Sequence, residues 1–469
     1  MKRNYLLILT LGLLLCCETA QLQETKDDKA KRVDQFFEQF SKEGSPGAAV
    51  AIVKDGEIIY KQGYGLANLE YDIPNTPSTI FHIASVSKQF TCFAALLLQE
   101  EGKLSMDDDI RKYIPEVPDF GKTITLRHLA NHTSGLRDQW NLLALAGWRL
   151  DDVITKEHIM KLVEKQEDLN FEPGERHYYC NTGYTLLAEA VSRVSGMSFA
   201  EFCEKRIFEP LGMKSTLFYD DHQKIVPNRA YSYGRNGQDY RKAVLSYANV
   251  GATSLFTTVE DLALWAMNFD TPKVGNAESM TEMHRRGILN NGDTISYALG
   301  QVVNQYRGLE QVSHGGADAG YRTNITRFPD QKFSVIIFSN FGNFNPGWIA
   351  RNIANTYLED EFTETFQYTP PQRSEEEEKP MIGALSDYAG KYYSPELSTA
   401  YELKVVGDEL VAVHSRHPDI TFKHRSGDSF RSTAWFKRNI TFTRNSSGKV
   451  TGYQVNSGRV QKLKFEKVN

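Results

Sequence analysis

Apolar and polar positions along the chain fall into four successive patterns. The first is a single apolar run, Tyr5 to Leu15, broken only by Thr10 and Gly12 and preceded by Lys2 and Arg3. It is too short to span a bilayer and has the flanks of a secretory signal, with the polar stretch Glu18 to Arg32 behind it. The second opens with a helix expected near Arg32–Ser41 and a strand pair, Ala48–Lys54 and Ile58–Tyr64, joined at Asp55-Gly56, a strong hairpin signal. Three- and four-residue apolar spacing then predicts helices at Ser85–Glu101, Thr155–Lys165, Thr182–Val194, Phe199–Ile207 and Val259–Asn268. Strands return at Leu299–Tyr306, Gln311–His314, Tyr321–Phe328 and Phe333–Phe338, with Pro329-Asp330 as a tight turn, and a helix at Trp348–Leu358 follows. Strands at both ends with helices between them predict one antiparallel sheet assembled from distant segments, an α+β layout.

The third pattern is a composition shift. Pro370-Pro371, Ser374 and the run Glu375 to Glu378 mark residues 366–380 as an acidic, solvated linker. The fourth, residues 381–469, alternates like strands, with turn signals at Gly407-Asp408, Ser426-Gly427-Asp428 and Ser446-Ser447-Gly448; this predicts a small all-β barrel or sandwich. The expected organisation is therefore an export signal at 1–17, a main domain over 30–365, the linker, and the β domain.

Composition adds little to this. The 469 residues are 41% apolar and 24% charged, which is ordinary for a soluble globular chain of more than one domain. Lys and Arg total 54 against 59 for Asp and Glu, so the net charge is −5, and four of the negatives sit in the linker run. That balance excludes a nucleic-acid partner held by bulk charge. Outside the leader only Cys92, Cys180 and Cys203 remain, with no zinc or redox spacing; buried free thiols are expected. No phosphate loop, His-Glu-x-x-His or Gly-x-Ser-x-Gly occurs, so neither a metal nor a cofactor is expected. Ala94 to Leu98 reads as core, and Ser198-Phe-Ala-Glu201 as a capping box rather than a hydrolase elbow.

Candidate chemistry begins at Phe81-His-Ile-Ala-Ser85-Val-Ser-Lys88. Ser85 at a helix start and Lys88 one turn on share a face. A serine hydroxyl needs a neighbouring base, and a lysine serves only if burial or nearby cations lower its pKa. Ser-x-x-Lys also arises by chance about once or twice in a chain this long. Ser446-x-x-Lys449 is such a match, placed in a hairpin turn, and the competing reading of Ser85 itself is a helix cap. Tyr179 and Asn181 lie two apart in an expected extended loop, where a phenol can relay a proton and an amide can hold a substrate; Tyr247-x-Asn249 is a rival match. Ser313-His314-Gly-Gly-Ala317 ends a strand with two glycines that admit a ligand close to the backbone, or else form a bulge around a structural histidine.

Taken in order, these segments resemble the serine β-lactamase and penicillin-binding-protein superfamily, in its class C-like branch. Leu126 to Gly135, Glu172-Pro-Gly, Tyr179 to Tyr184, Phe208 to Met213 and Gly251 to Asp261 carry the resemblance further, over about residues 30–365. It favours Tyr179 over Tyr247, because only Tyr179 continues Asn-Thr-Gly-Tyr. The resemblance implies an antiparallel sheet flanked by helices with a helical subdomain. It also implies Ser85 as an acyl-forming nucleophile, Lys88 as its base, Tyr179 as proton relay and Asn181 as a substrate amide partner, with the N–H groups of Ser85 and Ala317 as oxyanion hole. β-Lactamases and DD-peptidases usually have Lys where this chain has His314; D-aminopeptidases and esterase-like members resemble it in having His. A neutral imidazole attracts a substrate carboxylate less than an ammonium.

The expected protein is an exported serine hydrolase, a peptidase first (D-amino-acid or cell-wall peptides), then an esterase or a β-lactamase. A binding protein on the same fold is the reading from another class, which Ser85→Ala separates. The leader resembles a bacterial lipoprotein signal, implying a lipid anchor at Cys16 or Cys17 and a periplasmic or cell-envelope location; an ordinary cleaved signal is the alternative. The β domain resembles lipocalin-like barrels appended to such hydrolases. Covering the cleft, binding a ligand and mediating assembly are all open to it.

Overall fold

The computed structural model describes residues 25–40, 42–365 and 379–468. The signal over 1–17 with Cys16 and Cys17, and the linker's Glu375 to Glu378, lie outside the described residues.

Six strands form the main sheet: β1 (Ala48–Lys54), β2 (Glu57–Tyr64), β3 (Val302–Tyr306), β4 (Leu309–Asp318), β5 (Tyr321–Phe328) and β6 (Phe333–Ser339). Their spatial order is β3-β4-β5-β6-β1-β2, antiparallel throughout, so the early hairpin completes a meander made about 240 residues later, as Val50 opposite Ile337 illustrates. Asp55 and Gly56 turn that hairpin with φ of 52° and 80°, as a two-residue loop of the primed type requires. β1 is buried on both faces, which is why it reads as a continuous apolar run rather than an alternation. Ala48, Val50 and Ile52 pack under helices α1 (Lys26–Phe37) and α5 (Pro346–Tyr357); Ala49, Ala51 and Val53 face the helical side of the molecule.

On that side lie α2 (Lys88–Glu100), α3 (Asn181–Ser195) and α4 (Val259–Asp270), with α2 wholly buried along Lys88 to Leu98. Several expected elements differ in detail, among them the strand expected from Leu299, which begins at Val302. α1 begins at Lys26, because Thr25 and Asp28 form a capping box ahead of the apolar positions. The helix expected over Phe199–Ile207 changes at Glu204 into a π-helical turn, Glu204–Phe208; the pairs Phe202-Cys203 and Ile207-Phe208, five apart, thereby both stay buried. β4 runs on to Asp318 rather than ending at His314, since Gly315 and Gly316 remain paired with Asn324 and Thr323.

Residues 390–468 form a closed eight-stranded barrel whose first strand, Gly390–Ser394, pairs with its last, Val460–Val468. Inward residues alternate with solvated ones, as in Leu463 and Phe465 between Lys462, Lys464 and Glu466. The short helix Gln139–Leu145 of the main domain points its C-terminal carbonyls at the barrel: Ala144 O meets His417 Nε2 at 2.7 Å, and Leu145 O accepts from the Tyr401 hydroxyl at 3.0 Å. The two units also share a buried ion pair, Arg137 with Glu396, 1% and 5% exposed. Burial pushes the Glu396 carboxyl up, and the Arg137 guanidinium opposes that rise. Cys92, Cys180 and Cys203 are free and buried.

Candidate active site

Ser85 sits on a single 3-10 turn, Ala84–Ser87, wedged between β4 and the start of α2 rather than inside one helix. Ala84 opens this turn with φ of 48°; its N–H donates to His82 Nδ1 at 3.2 Å and its carbonyl accepts from Ser87 Oγ at 2.6 Å. A non-glycine residue held left-handed immediately before a candidate nucleophile is strain stored where it presents a side chain. Gly316 allows β4 to approach: a Cβ there would lie 2.3 Å from Ile83 O.

Lys88, the first residue of α2, is wholly buried. Its Nζ lies 3.1 Å from Ser85 Oγ, 2.8 Å from Asn181 Oδ1 and 2.7 Å from Ala252 O. Burial pulls its pKa down from 10.5 to about 7; Arg459 lowers it further, while Asp318 and Asp138 resist. A neutral amine has two N–H groups and one lone pair. The two carbonyl oxygens can only accept, so they take both N–H groups and leave the lone pair to the Ser85 hydroxyl.

The Tyr179 phenol neighbours Ser85 in the same cleft, and its ring centre lies 5.0 Å from the Lys88 Nζ. Burial raises its pKa, so the phenol stays protonated. Asn181 does not sit in an extended loop as expected; it is the first residue of α3. Its amide is held at both ends, Oδ1 by Lys88 and Nδ2 by Asp138 Oδ2 at 2.8 Å, and its backbone N–H also donates to Asp138 at 2.7 Å. One amide N–H remains for a ligand.

His314 is buried beside Tyr179. Its Nδ1 faces Gly315 O at 2.7 Å, which assigns the proton to Nδ1, and Nε2 accepts from the Tyr297 hydroxyl at 3.0 Å. Burial and the Lys88 charge lower its pKa to about 4, so it is neutral at pH 7. Ser85, Tyr179, Asn181, His314 and Ala317 thus share one cleft of about 550 Å³, with Lys88 directly beneath it. Neither rival motif reaches it: Ser446 and Lys449 lie at a barrel turn, and Tyr247 is stacked on Trp140 in the core.

Sequence reasoning missed four contributors. Asp138 caps helix Gln139–Leu145 while orienting Asn181. Tyr297 orients His314. Asp318 lines the cleft, its carboxyl pushed up to about 6 by burial. Arg459 comes from the barrel, whose sequence carries no chemical motif, and places its guanidinium 4.6 Å from the Tyr179 ring centre.

A family model described as Beta-lactamase matches residues 33–357. The chain belongs to the beta-lactamase family. This beta-lactamase-family chain is accordingly a serine hydrolase. Residues 374–467 match a domain of unknown function, DUF3471. A penicillin-binding protein of Bacillus subtilis (strain 168) is 31% identical over 338 residues, covering 67% of this chain and 72% of the relative. A D-aminopeptidase of Gluconobacter oxydans (strain 621H) is 28% identical over 300 residues, covering 63% of this chain but 56% of its own length. The matched part is therefore just over half of that D-aminopeptidase. Among solved structures, the octameric penicillin-binding protein homologue from Pyrococcus abyssi superposes with a TM-score of 0.63 at 24% identity, over 93% of this chain and 99% of that one. That likeness extends the shared fold across both the hydrolase part and the barrel of this beta-lactamase-family chain.

Proposed function

We propose that this chain is an exported serine hydrolase that cleaves amide bonds through an acyl-Ser85 intermediate, with peptides containing D-amino acids as its leading substrate class. The observation that carries the reading is the Lys88 amine, with both N–H groups committed to carbonyls and its lone pair directed at Ser85 Oγ. Ser85 passes its proton to Lys88 as Oγ bonds to the substrate carbonyl carbon. The oxyanion forms between the N–H groups of Ser85 and Ala317, which both line the cleft. Tyr179 gives its proton to the leaving amine and regains one from Lys88. Water then attacks the acyl-enzyme by the reverse path, releasing the acid and restoring Ser85. Asn181 orients Lys88 and offers its remaining N–H to the substrate.

Support for the substrate class comes from relatives named D-aminopeptidase and from a neutral His314, which provides no cation for a β-lactam carboxylate. Export rests on the apolar run behind Lys2 and Arg3, with lipid attachment at Cys16 or Cys17. Among the described residues no helix is long and apolar enough to cross a membrane.

The test is labelling with a fluorophosphonate and with a fluorescent penicillin, wild type beside Ser85→Ala, followed by a panel of D- and L-aminoacyl amides and esters. Ser85-dependent label from the fluorophosphonate, with D-aminoacyl amides turned over, is the expected result. Absence of Ser85-dependent label with either probe overturns the enzyme reading; turnover of esters alone replaces peptidase with esterase.

A further inference from the structure

The barrel touches the catalytic cleft through one hairpin tip, Gly458-Arg459, between strands Val450–Ser457 and Val460–Val468. The main domain holds this tip by its backbone. Tyr178 donates its hydroxyl to Gly458 O. Gly458 has φ of 58°, and a Cβ there would meet Asn141 Nδ2 at 2.3 Å, so only glycine fits. The Arg459 N–H donates to Asn141 Oδ1 at 3.3 Å, and its carbonyl accepts from the Asp138 N–H at 3.3 Å and Asn170 Nδ2 at 3.1 Å. Two residues on, Gln461 N–H donates to Asn170 Oδ1 at 2.8 Å and Gln461 O accepts from Arg137. The backbone from which the Arg459 side chain springs is thus fixed to the catalytic domain.

The side chain itself is not used up in this docking. Its guanidinium lies 3.7 Å from Asp138 Oδ2 and remains 41% exposed. Among the described residues it makes that one long ion pair and no side-chain hydrogen bond. Asp138 has already accepted two N–H groups from Asn181 and one from Trp140, so it neutralises Arg459 incompletely. The other cations of the cleft are poorly placed to meet a substrate anion. Lys88 is committed beneath Ser85, His314 is neutral, and Arg322 turns its Nη1 back to the carbonyls of Ala319 and Tyr321. Asp318, on the wall formed by β4, is bonded to Thr253. A fork of free guanidinium donors opening on a cleft matches the geometry of a carboxylate.

We propose that Arg459 binds a carboxylate of the substrate, one or two residues from the scissile bond, and that the barrel is thereby a specificity element of the active site. The proposal rests on the acyl-Ser85 reading and adds to it the charge of the substrate. The distance limit follows from Tyr179, which lines the cleft beside Ser85 and has the Arg459 guanidinium 4.6 Å from its ring centre, so one side chain separates nucleophile from guanidinium. An extended residue advances the chain by about 3.5 Å, which sets the reach at one or two residues.

The test uses the full chain as wild type, Arg459→Gln and Arg459→Lys, with matched peptide pairs that differ only in a terminal carboxylate or carboxamide. One pair carries the group on the acyl part and another on the leaving part. Two quantities are read for each: the slowing of fluorophosphonate labelling at Ser85, and kcat/KM where turnover occurs. The expected result is a preference for the carboxylate of about tenfold or more in wild type for one of the two pairs, as a charge-assisted contact gives. The expected ratio falls to near one in Arg459→Gln through KM, and is partly restored in Arg459→Lys. A wild-type ratio near one, or a ratio unchanged in Arg459→Gln, overturns the proposal while leaving the Ser85 reading intact. An equal fall for both members of each pair also overturns it, since Arg459 would then only position Asp138 and Tyr179. Failure of wild-type Ser85 to label at all is the separate result that removes the underlying reading, and the proposal with it.

Discussion

Among the described residues two lysines are completely buried, one in each unit, and their surroundings differ. Lys88 Nζ has three oxygen partners and lies beneath an open cleft. Lys437 is sealed inside the barrel, its Nζ 2.7 Å from the Tyr453 hydroxyl and 3.2, 4.8 and 4.5 Å from the ring centres of Tyr401, Tyr453 and Phe465. Burial lowers the pKa of both amines. A depressed lysine is therefore not in itself a catalytic base. What separates the two is the partner at the lone pair and the access to it: Lys88 meets a serine hydroxyl that a substrate can reach, whereas Lys437 meets a phenol wedged among aromatic rings.

This contrast can be broken in four ways, in decreasing order of effect. Ser85→Ala is expected to lower kcat/KM for any turned-over substrate by about 10⁴-fold or more, and Lys88→Met by about 10³- to 10⁴-fold. Steady-state assays on one chromogenic substrate measure both. Glu396→Gln leaves Arg137 buried against a neutral partner and is expected to cost about 3–5 kcal/mol of stability. Denaturant unfolding reads that loss, and limited proteolysis between the two units should accelerate with it.

The pH profile is the third. Lys88 must be neutral to accept the Ser85 proton, so below about pH 7 kcat/KM should fall tenfold per pH unit, with a plateau above. Asp318→Asn removes a charge that favours protonated Lys88 and should move that limb to lower pH; an unmoved limb would assign it to another group. Smallest is the paired change Lys437→Met with Tyr453→Phe, which replaces a polar contact by apolar volume. Burial makes the folded barrel hold a proton on this lysine less readily than the unfolded chain does, so the native residue costs stability at neutral pH. The pair is expected to gain about 1 kcal/mol at pH 7, a gain that shrinks as pH rises toward 10.5. Loss of activity in that pair would contradict the assignment of Lys437 to packing.

Legibility in the sequence followed the distance between interacting residues. Ser85 and Lys88 lie three apart on adjoining turns, so their meeting could be read from spacing. Tyr179 and Asn181 were legible as a motif, although Asn181 starts a helix where a loop was expected. β1 and β5 were placed with their full lengths, whereas β4 was cut short at His314, because two glycines carry no side chain to continue an apolar pattern. Arg459 was not legible at all: one arginine in a polar hairpin looks like any solvated charge until the barrel is docked.

The amino-acid order alone carried the apolar faces and the approach of Lys88 to Ser85, since these depend on periodicity and on groups a few residues apart. Only tertiary structure decided that Asp138 orients Asn181 across 43 positions and that Arg459 reaches Tyr179 from another domain. Such contacts come from packing one buried surface on another, and no local propensity encodes which surfaces will meet.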